Sequence, residues 1–249
     1  TGLRLMTQPP RRRMVRPPSG GSEEGRGKPA RLKTAKMRTP SSQAWLSRQI
    51  NDPWSAKARA HGYRSRAAYK LTDIADRFGL LTPGQRVIDL GAAPGGWTQV
   101  ALERGLNRIV GVDLLPVEPL PPAEILEMDF TDPACGPELI ARLGGAPDVV
   151  LSDMAPNTVG HRRTDHLRIV GLIDAAVDFA ESVLAPGGAF VAKAFQGGEI
   201  SEVMGRLKRS FAQVRNVKPP ASRPDSSETY IVATGFRGAP PGGLASGGA

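Results

Sequence analysis

Four ionisable side chains stand where packing alone does not ask for them. Lys193 interrupts the apolar run Val191-Ala192-Lys193-Ala194-Phe195, Asp153 closes the run beginning at Asp148, Glu228 precedes the apolar stretch from Thr229, and Lys70 lies in a helically periodic segment ahead of all three. A lysine in a buried strand costs free energy unless it is paired or has a task. A free lysine holds its proton to about pH 10.4, so it is a poor base at neutrality. A second ammonium nearby, with partial desolvation, makes proton removal easier. Carboxylates at Asp153 and Glu228 would hold both ammonium groups and oppose too large an effect. The chemistry such a set could do is proton abstraction. Taken singly, Lys193 could equally snorkel or form a structural ion pair, and Glu228 could be an edge-strand charge.

A second constellation is a glycine-rich loop. Asp89-Leu90-Gly91-Ala92-Ala93-Pro94-Gly95-Gly96-Trp97 follows an apolar run. Glycines let backbone approach a ligand closely. The spacing is not G-x-G-x-x-G, and no Lys-Ser/Thr pair follows, so a phosphate-binding P-loop is excluded and a nicotinamide site fits poorly. Asp113 ends the next apolar run, where a carboxylate can accept hydrogen bonds from ribose hydroxyls, and Asp129 ends the one after it. Taken singly, Gly95 could be a turn glycine, Trp97 a core aromatic and Asp129 a helix cap. Three histidines and one cysteine offer no metal-ligand spacing. Cys135 follows Asp132-Pro133 in an expected loop and is read as structural. His161, Arg162, Arg163 and His166 are read as a loop that either touches RNA phosphate or is merely solvated.

These residues need elements to position them. Ala68, Leu71, Ile74, Ala75 and Phe78 share one helical face, and Gly79 is the stop. Strands are expected at 86–90, 108–114, 124–128, 148–152, 189–194, 212–217 and 229–234. Helices are expected at about 97–104, 168–184 and 199–209. The alternation implies an α/β fold, a mainly parallel seven-stranded sheet with helices on both faces. The link Lys218-Pro219-Pro220-Ala221-Ser222-Arg223-Pro224 is too Pro-rich for a crossover helix, so the last strand is expected to be antiparallel. Ligands of such sheets bind beyond the carboxyl ends of the strands. Asp153 and Lys193 belong to that edge, and an antiparallel last strand would bring Glu228 there too. Sequence alone does not place Lys70.

The charge is uneven. The chain of 249 residues has 33 Lys and Arg against 24 Asp and Glu, a net +9. Residues 1–40 hold 11 of the basic residues and two acids, leaving 22 of each sign in 41–249. Residues 1–40 are expected to be a disordered basic tail, either an RNA tether or a solubilising appendage. Residues 41–237 form the expected catalytic domain, with a basic helical segment at 41–79, and 238–249 is a Gly/Pro-rich tail. No apolar run approaches 18 residues, and the opening Thr1–Arg13 lacks the apolar core of a secretory signal. The expectation is a cytoplasmic monomer without metal or membrane, with an anionic partner.

The motifs together carry a resemblance. VIDLGAAPGGWTQ, then VGVDLLP, MDF, LSDMAPN and VAKAF, resemble in order and separation the FtsJ family of S-adenosylmethionine-dependent RNA 2′-O-methyltransferases, over about 65–236. The resemblance implies a Rossmann-like methyltransferase fold with S-adenosylmethionine as cofactor. It implies Gly95 and Trp97 on the methionine side, Asp113 at the ribose, Asp129 at the adenine amino group and Asp153 nearest the methyl. It implies a tetrad of Lys70, Asp153, Lys193 and Glu228, with Lys193 as general base for a ribose 2′-hydroxyl. The expected substrate is a uridine of large-subunit (23S) ribosomal RNA on the assembled 50S particle. A transfer-RNA 2′-O-methyltransferase and a non-catalytic assembly factor are the alternatives. Ala155 and Asn157 stand where a base amino-methyltransferase would need a proline and an aromatic, which disfavours base methylation.

Overall fold

The structure is a computed structural model that describes residues 52–155, 162–197 and 199–238, with backbone alone at 162–167 and 199. The tail at 1–40 and all but the first residue of 238–249 lie outside the described residues, as does His161.

The described chain opens with two helices, α1 (Pro53–Ala60) and α2 (Ala67–Phe78). Asp52 caps α1 by accepting from Trp54 N at 2.9 Å. On α2 the periodic face is buried: Ala68, Leu71, Ile74 and Ala75. Gly79 stops α2 in the left-handed conformation, φ +65°, and Leu80 N bonds back to Ala75 O. Alternation then sets in. It runs β1 (Arg86–Leu90), α3 (Gly96–Glu103), β2 (Arg108–Asp113), β3 (Glu124–Glu127), α4 (Cys135–Leu143), β4 (Val149–Ser152), α5 (Arg162–Val183), β5 (Ala189–Phe195), α6 (Glu199–Ser210), β6 (Phe211–Val217) and β7 (Glu228–Phe236).

The seven strands form one sheet in the order β3-β2-β1-β4-β5-β7-β6. β1 to β5 pair in parallel. β7 slots between β5 and β6 and is antiparallel to both. The Pro-rich β6–β7 link thus returns the chain as expected, and the start of β7 reaches the carboxyl edge of β5.

Strand parity divides the core. Ile88, Leu90, Phe190, Ala192, Ile231 and Ala233 pack on the face covered by α4, α5 and α6. Val87, Leu151, Val191, Tyr230 and Val232 pack on the other, with Trp97 of α3 and Leu71 and Ile74 of α2. Successive strand residues alternate faces. Asp89, Lys193, Glu228 and Tyr230 therefore all turn to the α2–α3 side.

Three expectations need correction. Residues 135–143 form a helix, so Cys135 opens α4 and is buried rather than lying in a loop. Pro137 sits in the first helical turn, where no intrahelical N–H is needed. α5 begins at Arg162, six residues earlier than the apolar periodicity indicates, so Arg162, Arg163 and His166 are helical rather than loop residues. β7 extends over Glu228–Phe236, at both ends beyond the expected strand.

Candidate active site

The glycine loop sits at the carboxyl ends of β1 and β2. Gly91 N and Ala92 N both donate to Val112 O, at 2.8 and 3.2 Å, which ties the loop to β2. Asp113 then holds the loop from below: its Oδ2 accepts from Ala93 N at 2.8 Å and its Oδ1 from Leu115 N at 2.9 Å. Each oxygen keeps a lone pair, and the side chain is half-buried.

Gly95 has φ +105°, and a Cβ there would lie 2.7 Å from Leu120 Cδ1 and 2.9 Å from Arg64 Nη1. Arg64 bridges two loops over it, donating to Pro94 O at 3.2 Å and to Glu118 O at 2.7 Å. Gly95→Ala puts a side chain on a left-handed backbone and displaces the ends of Leu120 and Arg64, so it is expected to weaken cofactor binding at least tenfold while the sheet survives. Calorimetric titration of cofactor, with a thermal melt alongside, checks this.

Trp97 is buried, its Nε1 donates to Ala67 O at 2.9 Å, and its ring packs on Tyr230 with centroids 5.7 Å apart. Its indole is core, so its main chain at the start of α3 is what borders the loop. Asp129 lies just past β3 and is exposed. Its Oδ1 accepts from Thr131 Oγ1 at 2.7 Å and Thr131 N at 2.9 Å, and these bonds hold its carboxyl below the usual range. It caps a turn rather than a helix, and Oδ2 has no partner among the described residues.

The four ionisable residues do meet. Lys193 Nζ lies 3.0 Å from Asp153 Oδ1 and donates to Asp153 O at 2.7 Å. Lys70 Nζ lies 2.6 Å from Glu228 Oε1. All four side chains are less than one-fifth exposed. α2 is what brings Lys70 in: its buried stripe fixes the helix on the sheet, with Lys70 aimed at the strand edge. Glu228 is steadied by Ser222 Oγ, which donates to Oε1 at 3.0 Å. The loop carrying Ser222 is in turn pinned by Arg66, which donates to Ala221 O and pairs with the buried Asp52. Asp52 also lies 3.5 Å from Arg223.

Sequence reasoning missed Tyr230. It is fully buried, its hydroxyl donates to Asp153 Oδ1 at 2.7 Å, and it accepts from Lys70 Nζ at 3.2 Å. The available signal was parity: Tyr230 is two residues after Glu228 on one strand, so the two share a face. Asp89 was also passed over. It is buried, with Thr98 Oγ1 donating to Oδ2 at 2.7 Å.

Chemically, the arrangement offers amines held by carboxylates beside a crevice of close-approach backbone. Cys135 takes no part, since burial and the charges of Asp132 and Asp129 push its thiol up to about 11. Among the described residues there is no group of three or more His, Cys, Asp or Glu placed to hold a metal, and no helix long and apolar enough to cross a membrane.

A family model for FtsJ-like methyltransferases matches residues 63–236. The ribosomal RNA large subunit methyltransferase E of Caulobacter sp. (strain K31) is 68% identical over 225 residues, covering 90% of this chain and all of the relative. The protein of the same name from Caulobacter vibrioides is 66% identical over 225 residues, with the same coverage. Among solved structures, a ribosomal RNA methyltransferase from Plasmodium falciparum superposes with a TM-score of 0.63 at 28% identity, over 71% of this chain and all of that one.

Proposed function

This chain belongs to the FtsJ-like methyltransferase family, and we propose that it methylates the ribose 2′-hydroxyl of a uridine in large-subunit ribosomal RNA, with S-adenosylmethionine as donor. The proposed substrate is the assembled large subunit, and the proposed setting is the cytoplasm. The observation that carries this reading is the meeting of Lys193, Asp153, Lys70 and Glu228 beside the glycine loop.

The donor set suits the cofactor. Asp113 retains lone pairs on both oxygens, which suits a ribose diol. Asp129 is charged, exposed and has Oδ2 free among the described residues, which suits an adenine amino group. Gly95 and the main chain of Trp97 would border the methionine part, and Asp153 would lie nearest the methyl. S-adenosylmethionine, when bound, supplies a methyl group on a sulfonium whose sulfur leaves as a neutral thioether.

The chain's own part is to orient and deprotonate. In its amine form Lys193 takes the 2′-hydroxyl proton as the oxygen forms its new bond to carbon. Asp153 then receives an ammonium already at ion-pair distance, so no group has to reorganise. Lys70, held by Glu228, places a positive charge beside the oxygen as it becomes anionic. In-line positioning contributes at least as much as proton removal.

Labelled cofactor offered in parallel to large subunits, naked ribosomal RNA and transfer RNA tests the reading. Label is expected in the large subunit. Label confined to transfer RNA would contradict the ribosomal substrate, and no label in any of the three would contradict catalysis.

A further inference from the structure

We propose that Tyr230 is a positioning residue that joins the two ion pairs into one chain and divides the charge of Asp153 between itself and Lys193. This rests on the catalytic reading above and deepens it.

The geometry is continuous. Glu228 Oε1 holds Lys70 Nζ at 2.6 Å, Lys70 Nζ donates to Tyr230 Oη at 3.2 Å, Tyr230 Oη donates to Asp153 Oδ1 at 2.7 Å, and Lys193 Nζ lies 3.0 Å from that same Oδ1. The sheet builds this by register: Tyr230 on β7 stands directly opposite Lys193 on β5. The Lys70 ammonium also lies 5.5 Å from the centre of the Tyr230 ring.

The direction of the chain is fixed. Tyr230 is buried, and burial first, then the charges of Asp153 and Glu228, push its hydroxyl well above the ordinary phenol range. It keeps its proton at any working pH. A lysine ammonium can only donate and an ionised carboxylate only accept, so the phenol accepts from Lys70 and donates to Asp153 at the 2.7 Å contact.

The charged groups around the hydroxyl come from every side. α2 and the turn before it present Lys70 and Arg66, the end of β4 presents Asp153, and β5 presents Lys193. Its own strand supplies Glu228, and Asp89 lies behind Asp153. Of these, the phenol hydrogen-bonds with Lys70 and Asp153, and Glu228 is near enough that its hydrogen bond with the hydroxyl also pushes it up. The phenol's donation partly satisfies the oxygen that faces Lys193. Without it, the full charge of Oδ1 faces the Lys193 ammonium, and the amine form that accepts the substrate proton becomes harder to reach.

Tyr230→Phe keeps the ring that packs on Trp97 and removes only the hydroxyl. With large subunits as substrate, the acid limb of the rate profile is expected to move about one unit to higher pH, a loss of about tenfold at pH 7. The rates should converge on wild type above the displaced limb, with KM for the cofactor unchanged. A purely structural loss would lower the rate equally at all pH. A fluorinated tyrosine placed at 230 is a stronger donor and should move the limb the other way. A profile of Tyr230→Phe that overlays wild type, or one lowered evenly across pH, overturns the proposal. A wild-type protein that transfers no methyl group overturns the catalytic reading and this proposal together.

Discussion

Asp89→Asn is expected to stabilise the protein at pH 8 and to leave its stability nearly unchanged at pH 4. Asp89 ends in the core beneath the glycine loop, 1% exposed, with Thr98 donating to Oδ2 and no partner for Oδ1 among the described residues. Burial pushes its carboxyl up to about 7, with Asp153 and Asp113 adding to the effect and the Thr98 hydrogen bond opposing it. In the unfolded chain the same group titrates near 3.9. The folded state thus binds a proton more tightly than the unfolded state. The stability contributed by the protonated form is full below about pH 4 and is lost as pH rises to about 7. A difference of about three units corresponds to about 4 kcal/mol. Asparagine keeps an acceptor for Thr98 and has no charge to bury. Urea unfolding of both proteins across pH 4 to 8 checks this, since the difference between them cancels the other titrating groups. A difference that stays flat with pH contradicts it.

Lys193→Ala is expected to lower methyl transfer by about 10² to 10⁴ while leaving cofactor affinity intact. Lys193 touches Asp153 and none of the bonds that hold the glycine loop, which run through Val112 and Asp113. Its loss also leaves Asp153 still hydrogen-bonded to Tyr230, so no buried carboxylate is orphaned. The fold should therefore survive. Lys193→Arg separates two roles. It keeps the positive charge but cannot give up its proton, so it should be as inactive as alanine if the amine takes the 2′-hydroxyl proton. An arginine variant with most of the wild-type rate would show that charge alone suffices. Single-turnover methyl transfer with calorimetric cofactor binding reads both.

Much of this site was legible from strand ends. Apolar runs that stop at Asp113, Asp129 and Asp153 mark a carboxyl edge in any parallel sheet, and a Pro-rich link marked the one strand that had to return. That link is what returns β7 antiparallel and brings Glu228 to the carboxyl edge of β5. Lys70 resisted because the docking of a helix on a sheet depends on its whole buried stripe, not on one residue. Tyr230 resisted for a different reason. A tyrosine in an apolar strand reads as packing, and only the register of β7 against β5 shows that its hydroxyl lands between two ion pairs. Asp89 looked like the lead-in to a loop, since burial of a strand-end carboxylate depends on the helix laid over it. α4 was missed because Cys135 follows Asp132-Pro133, a pair that reads as loop, whereas Pro137 is tolerated in the first turn of the helix that opens there. The charge lesson also sharpened: residues 71–249 carry 16 basic and 21 acidic side chains. For the proposed RNA substrate, attraction is then expected from local positive groups near Lys70 and from the basic segment before it.

The chemical position of the transferred methyl tests the central claim most directly. Large subunits labelled from methyl-labelled cofactor would be stripped to RNA and hydrolysed in alkali. Alkali cleaves RNA through the free 2′-hydroxyl, so a 2′-O-methyl group protects the bond beside it. The account predicts that the label emerges in an alkali-resistant dinucleotide whose 5′ residue is a uridine. Label released in mononucleotides would place the methyl on a base and contradict it.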